Sequence, residues 1–210
     1  MRVLLVMVLI GLFSAAVAAD NPQATAANPK LSAEERAAII KSLEDSRKEL
    51  LDAVEGLSDA QWNYKPSPFR WSVGEVTEHI ALAEDLLFSA VERAIATKPD
   101  PDWESKTKDK VELLERVLPN RTGRAQAPGA IQPKAKLTRA EIMARFKESR
   151  AKTIKFAKET DLPLKAHTLE HPFRIFSWLN AYQWLDYIPL HNIRHNKQIA
   201  EVKASEGFPK

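Results

Sequence analysis

Apolar residues recur at helical spacing in four separate stretches of the chain, and three of the four open on the same local signal. Ser32 with Glu35 forms a capping box, in which the Ser hydroxyl and the Glu carboxylate each satisfy a backbone N–H of the first turn. Ile39, Ile40, Leu43, Leu50, Leu51 and Val54 then follow one face until Gly56. Ser72 and Glu75 repeat the box, and Ile80, Ala83, Leu87, Val91 and Ala94 continue the second stripe, with Trp71 placed to staple onto Val76. Thr138 and Glu141 open a third helix carrying Ile142, Phe146, Ser149, Ile154 and Ala157 to about Thr160. The fourth is expected from Ile175 to about Val202, through Trp178, Tyr182, Leu185, Ile188 and Ile199. It holds Pro189 in its interior, which removes a backbone hydrogen bond and predicts a bend near Leu185.

Nothing alternates apolar and polar residues for long enough to propose a sheet, so the pattern predicts an all-α fold, a four-helix bundle. The second and third helices are separated by a long crossover, Thr97 to Leu137, rich in proline and with one short amphipathic piece around Val111 to Val117. Between Leu57 and Trp71, Pro66 and Pro68 break any helix, and Trp62, Tyr64, Phe69 and Trp71 offer an aromatic closure for one end of the bundle. The domain is expected over residues 32–203.

The chain start carries a different signal. Arg2, the apolar run Val3 to Phe13 and the small residues Ser14 to Ala19 have the order of a secretory signal peptide over residues 1–19. Cleavage after Ala18 or after Ala19 fits equally well. The competing reading is an uncleaved anchor, against which the apolar run is shorter than the roughly 20 residues of a membrane-spanning helix, so no stable span is expected after cleavage. Residues 20–31, rich in Ala, Asn and Pro, read as a flexible leader. The expected location is periplasmic or extracellular.

Composition narrows the chemistry. Lys and Arg number 31 against 28 Asp and Glu, a small excess spread along the 210 residues, which disfavours nucleic-acid binding. There is no cysteine, so neither a disulfide nor a thiolate is available, and any metal must be held by His, Asp or Glu.

His191 and His195 stand at i and i+4 on the fourth helix, the spacing that lets two imidazoles grip one ion, and Ile188, Ile199 and Val202 turn their face toward the core. His79 occupies an inward position on the second helix. Two or three buried imidazoles are expensive unless something satisfies them. An all-nitrogen set suits one divalent ion of zinc, nickel, iron or manganese and leaves positions open for water. His167-Thr168-Leu169-Glu170-His171 spells the HxxEH of inverted zinc proteases, but Pro172 disfavours the continuous helix that motif needs. Glu75, i−4 from His79, is a candidate base with a competing capping role, and Gln198 is placed to orient the His195 imidazole. Arg194 reads as a surface or interhelical ion-pair residue.

Trp71-Ser72-Val73-Gly74-Glu75 leading to His79, His191-Asn192-Ile193-Arg194-His195 followed by Gln198-Ile199, and Ala127-Pro128 in the crossover resemble the DinB-like superfamily over approximately Ser32 to Val202. The resemblance implies an up-down-down-up bundle, a metal triad of His79, His191 and His195, and a metal-dependent hydrolase acting on a small molecule through a bound water. Thiol transfer, known among relatives that use cytoplasmic thiols, and a non-catalytic metal-binding or interaction module are the alternatives. The exported leader departs from the thiol-using relatives. A homodimer is compatible with a bundle, although no stripe singles out a face for it.

Overall fold

The computed structural model describes residues 27–123, 126–134 and 136–210. The expected signal peptide and residues 20–26 of the expected leader lie outside the described residues. At the leader's end, Leu31 is buried and the Pro29 carbonyl accepts from the Lys165 N–H at 2.9 Å.

Among the described residues seven α-helices and two short strands follow in chain order, besides two 3-10 turns at Gly129–Ile131 and Leu164–Ala166: α1 (Ala33–Val54), α2 (Asp59–Asn63), α3 (Val73–Ile95), α4 (Trp103–Thr107), α5 (Lys110–Val117), α6 (Arg139–Glu159), β1 (Thr168–Glu170), β2 (Trp178–Asn180) and α7 (Ala181–Lys203). The capping boxes at Ser32, Ser72 and Thr138 are all formed, and α1 ends where Gly56 takes a left-handed φ of 67°. No helix among the described residues is long and apolar enough to cross a membrane.

The long helices α1, α3, α6 and α7 form the four-helix bundle, and side-chain contacts give their directions. Asn196 and Lys203 donate to the carbonyls of Ser46 and Ala53, so α1 and α7 run in parallel. Arg150 reaches Glu84 and Lys152 reaches Glu92, so α3 and α6 are also parallel. Arg139, at the start of α6, donates to the Val54 carbonyl at the end of α1 (2.7 Å), and His79, early in α3, meets His195, late in α7. Each of the parallel pairs thus lies antiparallel to the other, the up-down-down-up order. Parallel neighbours cannot be joined by a short turn, which is why α3 and α6 are separated in the chain by a long crossover. The crossover is anchored at α7, where Gln183 and Asn180 bond to Thr107.

Three features differ from the sequence expectations. The fourth helix begins at Ala181 and not at Ile175, capped by Asn180 with Gln183 in a further capping box. The residues ahead of it pair as a two-stranded antiparallel ribbon, Thr168 opposite Asn180 and Glu170 opposite Trp178; three-residue strands are too short to display a period. On α6 the inward side chain at the middle of the stripe is Arg150, fully buried, whereas Ser149 turns outward to Asp85 at 2.5 Å. Helix α7 continues through Pro189.

Arg150 lies in a polar layer that divides the core. One apolar cluster gathers Leu43, Phe88, Ile154 and Ile188; the other gathers Leu50, Ile80, Phe146 and Ile199. Between them every N–H of the Arg150 guanidinium is satisfied: two go to Glu84, two to the Leu43 carbonyl and Ser46 hydroxyl, and one to Asn192. Asn192 in turn donates to Asn196, which donates to Glu49. All four bundle helices are thereby tied at the level of the histidines on α7.

Candidate metal centre

His79 comes from the second turn of α3, where the Ser72 cap fixes the helix start, and the α7 pair comes from consecutive turns of one face. The structure brings the three together: one ring nitrogen from each of His79, His191 and His195 lies within 4.8 Å of the others. The ring centroids are 4.4 to 5.1 Å apart. His79 and His195 are buried and His191 partly so.

The hydrogen bonds behind the rings decide which nitrogen faces the centre. His79 Nδ1 lies 2.7 Å from the Ile131 carbonyl, an obligate acceptor, so Nδ1 carries the proton. His195 Nδ1 lies 2.8 Å from Gln198 Oε1, and that oxygen also accepts from Arg121, which can only donate. His195 Nδ1 is therefore protonated too. Burial lowers the pKa of His79, and that of His195 falls well below its ordinary value for the same reason. His191 is likewise held neutral, by burial and then by its two neighbours. Neutral rings with protonated Nδ1 carry lone pairs on Nε2, and Nε2 of His79 and of His195 are 3.2 Å apart. Two lone pairs at that distance repel unless a cation lies before them, so the donor set fits a divalent metal.

The other candidates have different positions. Glu75 is spent on the Ser72 cap and on an ion pair with Lys65 at 2.8 Å. His167 immediately precedes β1 and His171 immediately follows it: His167 Nδ1 donates to the Thr97 carbonyl, and His171 is buried 4.7 Å from Trp184, ring to ring. Gln198 takes the orienting place expected for it. Arg194 makes no interhelical ion pair among the described residues. It donates to the carbonyls of Leu118, Asn120 and Gly123 and so holds the crossover against the site. Trp62 and Tyr64 do close the bundle end, through Arg139 and Phe208, but Trp71 stands 5.0 Å from the His79 ring and Phe69 is almost fully exposed. Ile131 could not be found from sequence, because it contributes through its backbone carbonyl.

The histidines lie in a cleft of about 1370 Å³ between α3, α5, α7 and the two loops carrying Phe69 and Phe173. Along α7 its wall is a stack of rings: His191 on Tyr187, and Tyr187 and Trp184 on His171. Facing them on α3 are Ala83, Leu86, Leu87 and Ala90.

Among curated proteins, the chain is 29% identical over 163 residues to the uncharacterized protein YuaE of Bacillus subtilis (strain 168), covering 76% of this chain and 93% of that one. Among solved structures it is similar to YfiT from Bacillus subtilis, described as "a probable metal-dependent hydrolase with an unusual four-helix bundle topology", at a TM-score of 0.50 and 19% identity over 85% of this chain and 91% of that one. The family model described as DinB superfamily matches residues 42–199. With three quarters of its length so matched, and with the bundle and the three histidines in place, this chain belongs to the DinB superfamily.

Proposed function

We propose that the protein is a metal-dependent hydrolase of small molecules, with one divalent ion of zinc, nickel, iron or manganese held by His79, His191 and His195. The observation that carries the reading is the pair of Nε2 lone pairs 3.2 Å apart in a cleft large enough for an organic substrate. When bound, such an ion supplies a Lewis acid and a water nucleophilic at neutral pH.

The chain's own residues prepare that site. The Ile131 carbonyl and Gln198 hold two imidazoles in the ligand tautomer, and Arg121 fixes the Gln198 amide. Trp71 and Tyr187 shield the rings from bulk water. No Asp or Glu lines the cleft among the described residues. The charged, apolar and small-residue order of residues 1–19 supports export, with the domain working in the periplasm or outside the cell.

The test is metal stoichiometry on chelator-stripped protein, beside a His79→Ala, His191→Ala, His195→Ala variant, followed by ester, amide and phosphoester hydrolysis with and without metal. About one ion bound by the wild type and none by a folded variant, with hydrolysis only in loaded protein, is the expected result. Equal binding by both proteins, or binding by neither, removes the reading.

A further inference from the structure

The cleft has a charge pattern that the metal reading does not use. Six arginines line it, at positions 70, 93, 116, 121, 174 and 194, and among the described residues no lysine, aspartate or glutamate does. Three of the six have structural work. Arg70 and Arg121 share Glu201, and Arg194 is occupied by crossover carbonyls. Arg93, Arg116 and Arg174 are exposed and have no ion pair or hydrogen bond to any described residue.

Their places follow from the topology. Because α3 and α7 are antiparallel, the end of α3 lies beside the start of α7, and the Thr97 carbonyl is bonded to His167 there. Arg93 is thus about 21 Å along α3 from His79, at 1.5 Å per residue. Arg174 is in the loop after β1, three residues from His171, which stacks on Trp184. Arg116 is on the α5 wall between the two ends. The cleft is therefore a groove with imidazoles at one end, aromatic and aliphatic walls along its length, and unpaired guanidiniums along and beyond them.

Resting on the hydrolase reading for the identity of the reacting end, we propose that the substrate is an elongated organic anion. Its apolar or aromatic body lies along Trp184, Tyr187 and Leu87, and its carboxylate or phosphate is held by Arg93, Arg116 and Arg174, remote from the bond that reacts. Guanidinium groups bind such oxyanions through paired N–H donors, and an anionic group meets no like charge on the lining. The apolar walls supply contact area, and the arginines select against neutral and cationic compounds of the same shape.

The test is binding without turnover, by calorimetry on metal-free and metal-loaded full chain, with 8-phenyloctanoate, its neutral amide and 8-phenyloctylammonium as probes. The carboxylate is expected to bind about tenfold more tightly than the amide, and the ammonium most weakly. In Arg93→Gln, Arg116→Gln, Arg174→Gln protein that preference should collapse while amide binding persists, which shows that the cleft is intact. Equal binding of carboxylate and amide, binding of neither, or a preference that survives the triple substitution overturns the proposal. So does adsorption to phosphatidylglycerol vesicles that the carboxylate does not displace, which would assign the arginines to a lipid surface. Because metal-free protein is measured as well, loss of the metal reading and loss of this one are separate results.

Discussion

Asn192 stands between the two histidines of α7, and its side-chain oxygen accepts a hydrogen bond of 2.9 Å from the fully buried guanidinium of Arg150 on α6. The helix that carries two of the three imidazoles is thereby registered against the ionic layer that joins Glu84, Arg150 and Ser46. A fully satisfied buried network rigidifies and specifies one arrangement of the helices around it.

Replacing Arg150 by Met leaves the Glu84 carboxyl buried without its partner, and burial already pushes the pKa of that group up. The variant is expected to lose about 3–5 kcal/mol of unfolding free energy. Glu84→Gln added to Arg150→Met should recover a substantial part. Denaturant unfolding of wild type, single and double variants checks both; a single variant within about 1 kcal/mol of wild type would deny the layer its structural role.

Gln198→Ala removes the acceptor behind His195 without touching a ligand nitrogen. Metal affinity should fall about 10–100-fold while the unfolding midpoint of the metal-free protein barely changes. Competition against a chromophoric chelator measures the affinity, and an unchanged value would mean that packing alone orients the ring.

Asp186 on α7 is buried, with one carboxyl oxygen unpartnered among the described residues. Burial, with Glu115 adding to it, pushes its pKa up to about 7. Between the unfolded value near 4 and about 7 the native state binds the extra proton, so this group lowers stability progressively as pH rises through that window. Asp186→Asn should exceed wild type by about 1–2 kcal/mol near pH 5 and by up to about 4 kcal/mol at pH 8. Thermal unfolding at the two pH values decides it; the same difference at both would show that the carboxyl does not titrate there.

Gly74 lies in the first turn of α3, where an added Cβ would fall 2.3 Å from the Trp62 indole nitrogen. Trp62 is itself held under the Arg139 guanidinium, 4.6 Å from ring to cation. Gly74→Ala is expected to cost about 1–3 kcal/mol, against the gain alanine usually brings inside a helix. A variant as stable as wild type would show that the indole can give way.

The helical periods and capping residues were enough to locate α1, α3 and α6, since each cap is a local bond between residues three apart. The same spacing logic placed His191 and His195 on one face and put His79 among inward residues. The start of α7 was displaced because the apolar residues Ile175 and Trp178 continue a helical stripe, whereas the backbone there is drawn into the ribbon that Asn180 terminates.

What the chain could not disclose by itself is everything that depends on a partner distant in sequence. Arg150 reads as a solvated helix residue until Glu84, Ser46 and Asn192, from three other helices, enclose it. The proton on His79 is set by a carbonyl 52 residues away, and that on His195 by an amide that Arg121 fixes from the crossover. The arginines of the cleft are scattered along the chain as ordinary surface charge. Local patterns follow from bonds within a turn, but a site is a set of distances between turns, and only the packed bundle determines those.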